Sequence, residues 1–378
     1  MELGFTQEQE MIRSQAAEFL KNECPKDVVR ELMASDHAHS DELWEKMAAM
    51  GWMGLIFPEE YGGVGLSFVD QIVVLEEMGR ALTPGSYFST VLLAGLTLLE
   101  AASDEQKRRW LAPLAEGRLK ATLALAEPDG AWTPEKLAVR AERADGGFRI
   151  NGVKLFVPDA HVADLILCAA QMDDRGFASG LSLFAVDRRS EGLNVTPLKT
   201  MDQTRRLYEV SFEAVKVPAG SLLGAPGQAR ALLERVLDLA AIGLCAQMVG
   251  GAQQVLNMCV EYSKSRIQFG RPIGSFQAIQ HRCADMLLLI ESARSAVYAA
   301  ACAASEDVEQ IALHASIAKA YTSDAYTWVA GEGIQIHGGM GFTWEHDAHL
   351  YFKRAKADEV TFGDAGSHRE RVARLIGL

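Results

Sequence analysis

Apolar residues in this chain recur with two different periods, in three successive stretches. From residue 6 to about residue 117 they follow helical spacing, as in Met11, Ala16 and Leu20, which predicts a helical block. Its conspicuous break is the segment FPEEYGGVG at residues 57–65, because a proline and three glycines forbid a continuing helix there.

From residue 120 the pattern changes to short apolar runs rich in strand-forming residues. They predict strands at residues 122–125, 137–141, 148–150, 155–157, 165–169, 181–186, 195–198 and 208–212. Turn signals separate these runs, and Asn151-Gly152 is interpreted as one of them. Short strands without intervening helices predict an antiparallel sheet or barrel of about 100 residues.

Helical spacing returns at Gln228 and continues nearly to the end, in long segments at 232–266 and 277–304. The sequence therefore predicts an α+β fold in which the two kinds of structure are segregated. We expect an N-terminal helical domain at residues 1–119, a middle antiparallel β-barrel-like domain at 120–226 and a C-terminal helical bundle at 227–378.

Composition excludes several classes of function. The 378 residues are 49% hydrophobic and 23% charged with a net charge of -13, which disfavours nucleic acid as a partner because that binding needs clustered cations. The uncharged stretches are too short or too polar for a membrane span of about 20 residues, so no membrane insertion is expected. The start, MELGFTQEQEM, has no apolar stretch and predicts no signal peptide, hence a cytoplasmic location. Six scattered cysteines without a CxxC pair predict free thiols.

Two segments of the C-terminal part carry candidate chemistry. The segment RIQFGRPIGSFQ at 266–277 offers two guanidinium groups and two amides beside aromatic rings, a set that suits a phosphate-bearing aromatic ligand. A charged interhelical loop that binds no ligand would account for the same residues. The segment QIHGGMGF at 335–342 has adjacent glycines that permit close approach to backbone, and it is no Rossmann motif because no strand precedes it.

The order and spacing of four segments resemble the acyl-CoA dehydrogenase family over essentially the whole chain. These segments are PEEYGGVG at 58–65, NGVKLFV at 151–157 followed by Ala163-Asp164, RIQFGRPIGSFQ at 266–277, and QIHGGMG at 335–341 with KRAK at 353–356 beyond it. Each one is weakly specific alone. Four in the right order on a helical, β, helical frame identify the chain as a member of that family.

The resemblance implies a flavoprotein enzyme that binds FAD and desaturates an acyl-CoA, with electrons passing to an electron-transferring flavoprotein. It also implies an oligomer, a dimer of dimers, in which the adenine dinucleotide reaches a neighbouring subunit. Leu125 and Ala126 would offer backbone to the isoalloxazine edge, and Phe156 would stack near the ring. The remaining FAD-binding residues would be Arg266, Phe269, Gln277, Gln335, Gly338 and Gly339.

The chain departs from the family pattern on the flavin side. The family commonly has Thr-Glu-Pro and then a Gly-Ser-Asp turn, where this chain has AEPDGAWTP at residues 126–134. Pro158 replaces a threonine that commonly contacts the flavin, and proline lacks both the hydroxyl and the amide N–H. We expect flavin binding to be weakened, not abolished.

The departure with most consequence concerns the catalytic base, a carboxylate that must reach the Cα proton of the thioester. By resemblance the usual glutamate position holds Phe362, and the alternative position, 26 residues before Arg266, holds Ala240. Asp364 is a weak candidate, since the simpler interpretation is that it caps a helix at 365–374. Asp238 would point roughly 200° away from position 240 on a helix.

The histidines at 337, 346 and 349 look like a cluster, but by resemblance His337 belongs to the glycine turn. The remaining pair, His346 and His349, are i,i+3 neighbours on a possible helix and lack a third ligand, so no metal site is predicted. The segment HGGMGFTWEHD at 337–347 together with Phe362, Asp364 and His368 is similar to a subset of the family. That subset forms heterotetramers acting on bulky acyl-CoAs such as steroid side chains, and one of two unlike subunits brings the base. The alternatives left open are a catalytically silent structural or regulatory subunit, and base-free acyl-CoA chemistry such as desulfination.

Overall fold

The computed structural model of the chain describes residues 5–130, 132, 137–144, 146–172 and 180–378. Its contacts divide the chain into two compact units. The helical unit comprises Met1–Glu31, Phe68–Thr83 and Ala241–Leu378, and the sheet unit comprises Leu32–Ser67 and Pro84–Ala240. The α+β class is confirmed, whereas the boundaries 1–119, 120–226 and 227–378 stay a prediction.

The helices of the described residues follow the predicted periodicity. They are α1 (Gln7–Glu23), α2 (Lys26–Ala34), α3 (Asp41–Ala49), α4 (Phe68–Ala81), α5 (Leu96–Ala101), α6 (Asp104–Gln106), α7 (Ala112–Ala115), α8 (Ala229–Ser265), α9 (Gln277–Glu306), α10 (Ile311–His337), α11 (Ala348–Val360) and α12 (Ala365–Leu375). Two π-helical turns, Phe88–Gly95 and Lys107–Leu111, lead into α5 and α7. The break predicted at 57–65 is confirmed, because Gly62 there has a φ of 78° and ends a short 3-10 turn.

The strands are β1 (Ala121–Ala124), β2 (Arg140–Ala144), β3 (Gly147–Pro158), β4 (Leu165–Met172), β5 (Gly180–Asp187), β6 (Leu193–Pro197), β7 (Leu207–Pro218), β8 (Leu222–Leu223), β9 (Ile267–Gln268) and β10 (Arg271–Pro272). The main sheet has the order β6-β7-β3-β2-β4-β5-β8, and β1 pairs with β4. Most pairings are antiparallel as predicted, but β1 and β2 each run parallel to β4. The sheet is therefore mixed.

One predicted turn and one predicted strand start were wrong. The runs at 148–150 and 155–157 belong to one strand, β3, because Asn151-Gly152 forms a bulge against β7 and not a turn. The run at 137–141 begins too early, since regular pairing starts at Arg140. Gly152 has a φ of 134°, and a Cβ there would lie 2.8 Å from a methyl group of Val139. Glycine is thus required by the close packing inside the strand.

The core of the sheet unit lies on one face of β3, β4, β5 and β7. Phe148 and Phe184 meet edge to face with ring centroids 5.1 Å apart, and Val210 and Phe212 belong to the same buried cluster. Side chains alternate along β7 between this core and solvent, the period expected of a half-buried strand.

Within the helical unit, α4 packs backbone to backbone against α8. A Cβ at Gly79 would lie 1.9 Å from the carbonyl oxygen of Gln247, and one at Gly250 would lie 1.8 Å from that of Glu76. Any larger side chain at either position would push the helices apart. The Arg294 guanidinium of α9 bonds Glu76 at 3.1 Å, so α9 is tied to the same pair.

Helix α9 is long and apolar enough to cross a membrane by length and composition, a test that core helices of soluble proteins also pass. The predicted absence of membrane insertion stays a prediction. All six cysteines are free, as predicted, and four of them are buried.

Candidate active site

The residues predicted to meet the flavin edge follow directly after β1 in the sheet unit. The carbonyl oxygen of Leu125 accepts from Lys154 Nζ at 2.9 Å, and that of Ala126 accepts from the Leu155 amide at 2.9 Å. Both residues are almost completely buried. The backbone of this segment is therefore fixed by β3, and its contact with a flavin edge stays a prediction.

A buried ion pair fixes the segment further. Lys154 Nζ lies 2.8 Å from Glu127 Oε1, and both side chains are almost fully buried. Glu127 also accepts from the backbone amides of Ala138 and Val139. Burial lowers the pKa of Lys154, and its hydrogen bond to Glu127 opposes that shift. An ion pair is tolerated in a protein interior when its charges and hydrogen bonds compensate each other, whereas burying one of the two charges without the other is strongly destabilising.

We expect Lys154→Met to destabilise the chain by about 3–5 kcal/mol, because it leaves the Glu127 carboxylate buried without a cation. Adding Glu127→Gln should recover part of the loss, since the uncompensated charge is then gone. The measurement is urea unfolding, with Lys216→Met on the exposed face of β7 as control, where a change within about 0.5 kcal/mol is expected. A Lys154→Met variant as stable as the control would show that Lys154 does not compensate a buried charge on Glu127.

Three phenylalanines singled out by the sequence have left-handed backbone. Phe156, Phe269 and Phe362 have φ values of 54°, 53° and 61°. A bulky residue adopts this conformation only where its surroundings impose it, and such positions cluster at functional sites. Phe156 lies at the second bulge of β3 and is half-buried. Pro158 nearby uses its carbonyl oxygen to accept from Thr122 Oγ1 at 2.7 Å.

The predicted nucleotide-binding residues Arg266, Phe269 and Gln277 lie at one end of the helical unit. Arg266 lies between the end of α8 and the β9–β10 hairpin, and its amide donates to the Tyr262 carbonyl at 2.8 Å. Its side chain is exposed, as is that of Gln277 at the start of α9. Phe269 at the hairpin tip is 91% exposed. These groups are thus free to meet a ligand from outside.

The predicted glycine turn follows α10 at Gly338–Phe342. Gln335, Gly338 and Gly339 are exposed, and a Cβ built at either glycine meets no atom within 4 Å among the described residues. Tyr262, one turn before Arg266, stacks on His337 at 4.6 Å between ring centroids. The fold therefore places the glycine turn beside the end of α8, and the open space at the glycines leaves room for a ligand against the backbone.

Neither position expected for the base carries a carboxylate. Phe362 is 9% exposed in a tight loop whose carbonyl oxygens accept from buried side chains. Lys319 Nζ donates to the carbonyl oxygens of Glu359 and Gly363, each at 3.0 Å, and His368 Nε2 donates to that of Phe362 at 3.0 Å. Burial lowers the pKa of His368 to about 4. Ala240 in α8 is fully buried in the sheet unit.

Asp364 caps α12, as predicted. Its Oδ1 accepts from the Ser367 amide and from Ser367 Oγ, each at 2.7 Å. These hydrogen bonds lower the pKa of the Asp364 carboxyl, which makes it a weaker base. Asp238, the carboxylate two residues before Ala240, is buried and belongs to the sheet unit.

The three histidines lie around the glycine turn without forming a metal site. His337 and His346 have ring centroids 4.4 Å apart, and His349 stacks on Trp344 at 5.0 Å. Among the described ranges, no three His, Cys, Asp or Glu side chains are placed to hold a metal ion.

Sequence reasoning did not find the Lys154–Glu127 pair, although both residues lay in segments it had quoted. The available signal was the strand period: Lys154 takes a core-facing position in β3, where an unpaired lysine would be costly. The arginine that contacts the loop after the glycine turn, Arg30, was also missed.

Three domain descriptions of one family match successive parts of the chain. They are the acyl-CoA dehydrogenase N-terminal domain at residues 6–118, the middle domain at 122–215 and the C-terminal domain at 229–377. The chain is 36% identical over 350 residues to acyl-CoA dehydrogenase IpdE2 of Mycobacterium tuberculosis, covering 92% of this chain and 91% of that protein.

Two further proteins extend the comparison. The chain is 30% identical to the caffeyl-CoA reductase-Etf complex subunit CarC of Acetobacterium woodii, over 98% of this chain and 99% of CarC. A chain of the ChsE4-ChsE5 complex from Mycobacterium tuberculosis superposes with a TM-score of 0.90 at 27% identity, covering 100% of both chains.

The fold and the domain matches define an FAD-binding oxidoreductase. The chain belongs to the acyl-CoA dehydrogenase family, whose members bind FAD. The residues present fit that cofactor on the nucleotide side, where an exposed arginine, two exposed amides and an open glycine turn suit a pyrophosphate. On the flavin side Pro158 provides one donor fewer, and Ala131, Thr133 and Pro134 of the divergent segment lie outside the described residues.

Proposed function

We propose that this chain is the base-free subunit of a heteromeric FAD-dependent acyl-CoA dehydrogenase. The observation that carries the proposal is that both base positions hold buried apolar side chains, Phe362 and Ala240, while Asp364 is occupied as a helix cap. A carboxylate must reach the Cα proton, so a second, unlike subunit supplies it. The similarity to a chain of the ChsE4-ChsE5 complex supports a partnership of unlike subunits.

Each residue set has a role in this proposal. Leu125, Ala126 and Phe156 bind the flavin edge, whereas Arg266, Phe269, Gln277, Gln335, Gly338 and Gly339 bind the pyrophosphate and adenine across a subunit interface. The FAD that these residues would hold would supply the acceptor for the hydride from Cβ of the thioester. The chain's own contribution is to bind and orient that cofactor. Phe362 gives the loop between α11 and α12 an apolar side chain at the usual base position.

The proposed substrate is an acyl-CoA with a bulky acyl group, such as a steroid side chain, and the assembly is a dimer of dimers in the cytoplasm. The proposed electron acceptor is an electron-transferring flavoprotein. The similarity to CarC, a subunit of an Etf complex, supports that acceptor.

The test is to purify the chain alone and after co-expression with a homologous chain that has glutamate at either base position. We expect weak flavin retention alone, and a tetramer of unlike subunits with a full flavin absorbance spectrum after co-expression. A split cofactor site leaves an isolated chain with only part of the binding residues. A stable monomer or homomer that retains one FAD per chain would contradict the proposal.

A further inference from the structure

Arg30 of α2 holds the loop that follows the glycine turn, although the two are separated by more than 300 positions in the sequence. Its Nη1 donates to the Trp344 carbonyl at 2.7 Å, and its Nη2 donates to the Glu345 carbonyl at 3.3 Å. Nε and Nη2 both donate to Asp347 Oδ1, at 3.2 and 2.7 Å. A planar guanidinium can satisfy three acceptors at once, and a lysine cannot reproduce that geometry.

This loop is coupled directly to the glycine turn. The Thr343 amide and hydroxyl both donate to the Met340 carbonyl, at 3.0 and 3.1 Å. His346 contacts the ring of His337, and its Nδ1 accepts from the Ala348 amide at 3.1 Å. The turn has little room to shift, because a Cβ at Gly341 would lie 2.9 Å from the Ile334 carbonyl oxygen.

We propose that Arg30 is a positioning residue for the glycine turn at Gly338–Phe342, acting through the loop at residues 343–347. The turn has open space at Gly338 and Gly339, α10 backs it at Gly341, and the loop contacts it through Thr343 and His346. Loss of Arg30 removes its hydrogen bonds to the Glu345 carbonyl and the Asp347 carboxylate, whereas the Trp344 carbonyl still accepts from His349 Nε2 at 3.1 Å. The consequence for FAD rests on the proposed function, whereas the effect on the turn does not.

The first experiment is amide hydrogen exchange on the purified full chain, comparing wild type, Arg30→Ala and Arg294→Ala. Arg294 is the matched control: its side chain is 22% exposed against 21% for Arg30, and it also bonds an acidic partner in the helical unit. We expect Arg30→Ala to raise exchange at residues 338–347 by on the order of tenfold or more. Arg294→Ala should raise exchange in α4 and α9 and leave 338–347 unchanged.

The second experiment measures FAD affinity by flavin fluorescence quenching, in the form of the protein that binds FAD. Arg30→Ala should weaken binding by on the order of tenfold, with Arg30→Lys intermediate and Arg294→Ala near wild type. Unchanged exchange at 338–347 in Arg30→Ala would overturn the positioning role, and altered exchange with unchanged FAD affinity would overturn its link to the cofactor. Absence of FAD binding by wild type in every assembly would instead contradict the proposed function, while the exchange result still decides the role of Arg30.

Discussion

Purified alone, the chain should desaturate no acyl-CoA above background with a dye acceptor, and activity should appear when a glutamate-bearing homologous subunit is added. The physical reason is the missing base: general base catalysis contributes about 10²–10⁴ in rate, and Phe362 and Ala240 cannot accept a proton. Replacing the partner's glutamate with glutamine should then abolish turnover by the complex.

The discriminating variant in this chain is Asp364→Asn. Asp364 is the carboxylate nearest in sequence to the usual base position, but it accepts two hydrogen bonds from Ser367 and its pKa is lowered by them. Asparagine is itself a good N-cap, so the substitution should cost at most about 1 kcal/mol of stability. Turnover by the complex should stay near the wild-type value.

Ser367→Ala provides a control for this variant, because it removes one hydrogen bond from the same cap and keeps the carboxylate. The two variants should behave alike in the complex if Asp364 only caps α12. Strong activity of the lone wild-type chain, lost in Asp364→Asn and kept in Ser367→Ala, would show that this chain carries its own base.

The period of apolar residues predicted the fold well because it reports directly which face of an element is buried. The two longest predicted helices, 232–266 and 277–304, were observed as Ala229–Ser265 and Gln277–Glu306. The helix cap at Asp364 was also predictable, since capping depends on residues within one turn. Local signals thus gave local structure.

Asn151-Gly152 shows where local signals fail. The same two letters suit a hairpin turn or a bulge, and the choice depends on the partner strand. Here β7 continues past the bulge, and Asn151 Oδ1 accepts from the Ala214 amide at 2.8 Å. The parallel pairing of β1 with β4 is a similar case, because residues 121–124 carry no mark of the strand beside them.

The candidate site shows the same difference between local motifs, which the sequence predicts, and contacts between distant residues, which it does not. Exposed motif residues such as Arg266 and Gly338 could be named from the sequence through the family resemblance, and their roles stay a prediction. The pairings that hold the site could not be predicted, because Lys154 and Glu127 are 27 positions apart and Arg30 and Asp347 are 317 apart. Such partners come together only in the folded chain, so a short-range sequence pattern does not predict their contact.

Arg266→Ala should lower FAD occupancy of the assembled protein far more than it lowers stability. Arg266 is exposed at the end of α8, so its truncation should change the free energy of unfolding by no more than about 0.5 kcal/mol. A hydrogen bond to a charged group contributes about 1.5–3 kcal/mol. Its loss at the pyrophosphate should therefore weaken FAD binding by about ten- to a hundredfold.

The nearby Lys264 is the matched control, because it is also an exposed cation in the last turn of α8 and pairs with Glu261 at the surface. Lys264→Ala changes the net charge by the same amount, so any long-range attraction of the anionic cofactor falls equally in both variants. The two variants therefore differ only in the direct contact of Arg266 with the pyrophosphate. Flavin absorbance per chain after gel filtration, measured beside urea unfolding, should show loss for Arg266→Ala and near-normal occupancy for Lys264→Ala. Equal occupancy in the two variants, or a destabilised Arg266→Ala chain with its flavin intact, would mean that the end of α8 does not hold the pyrophosphate.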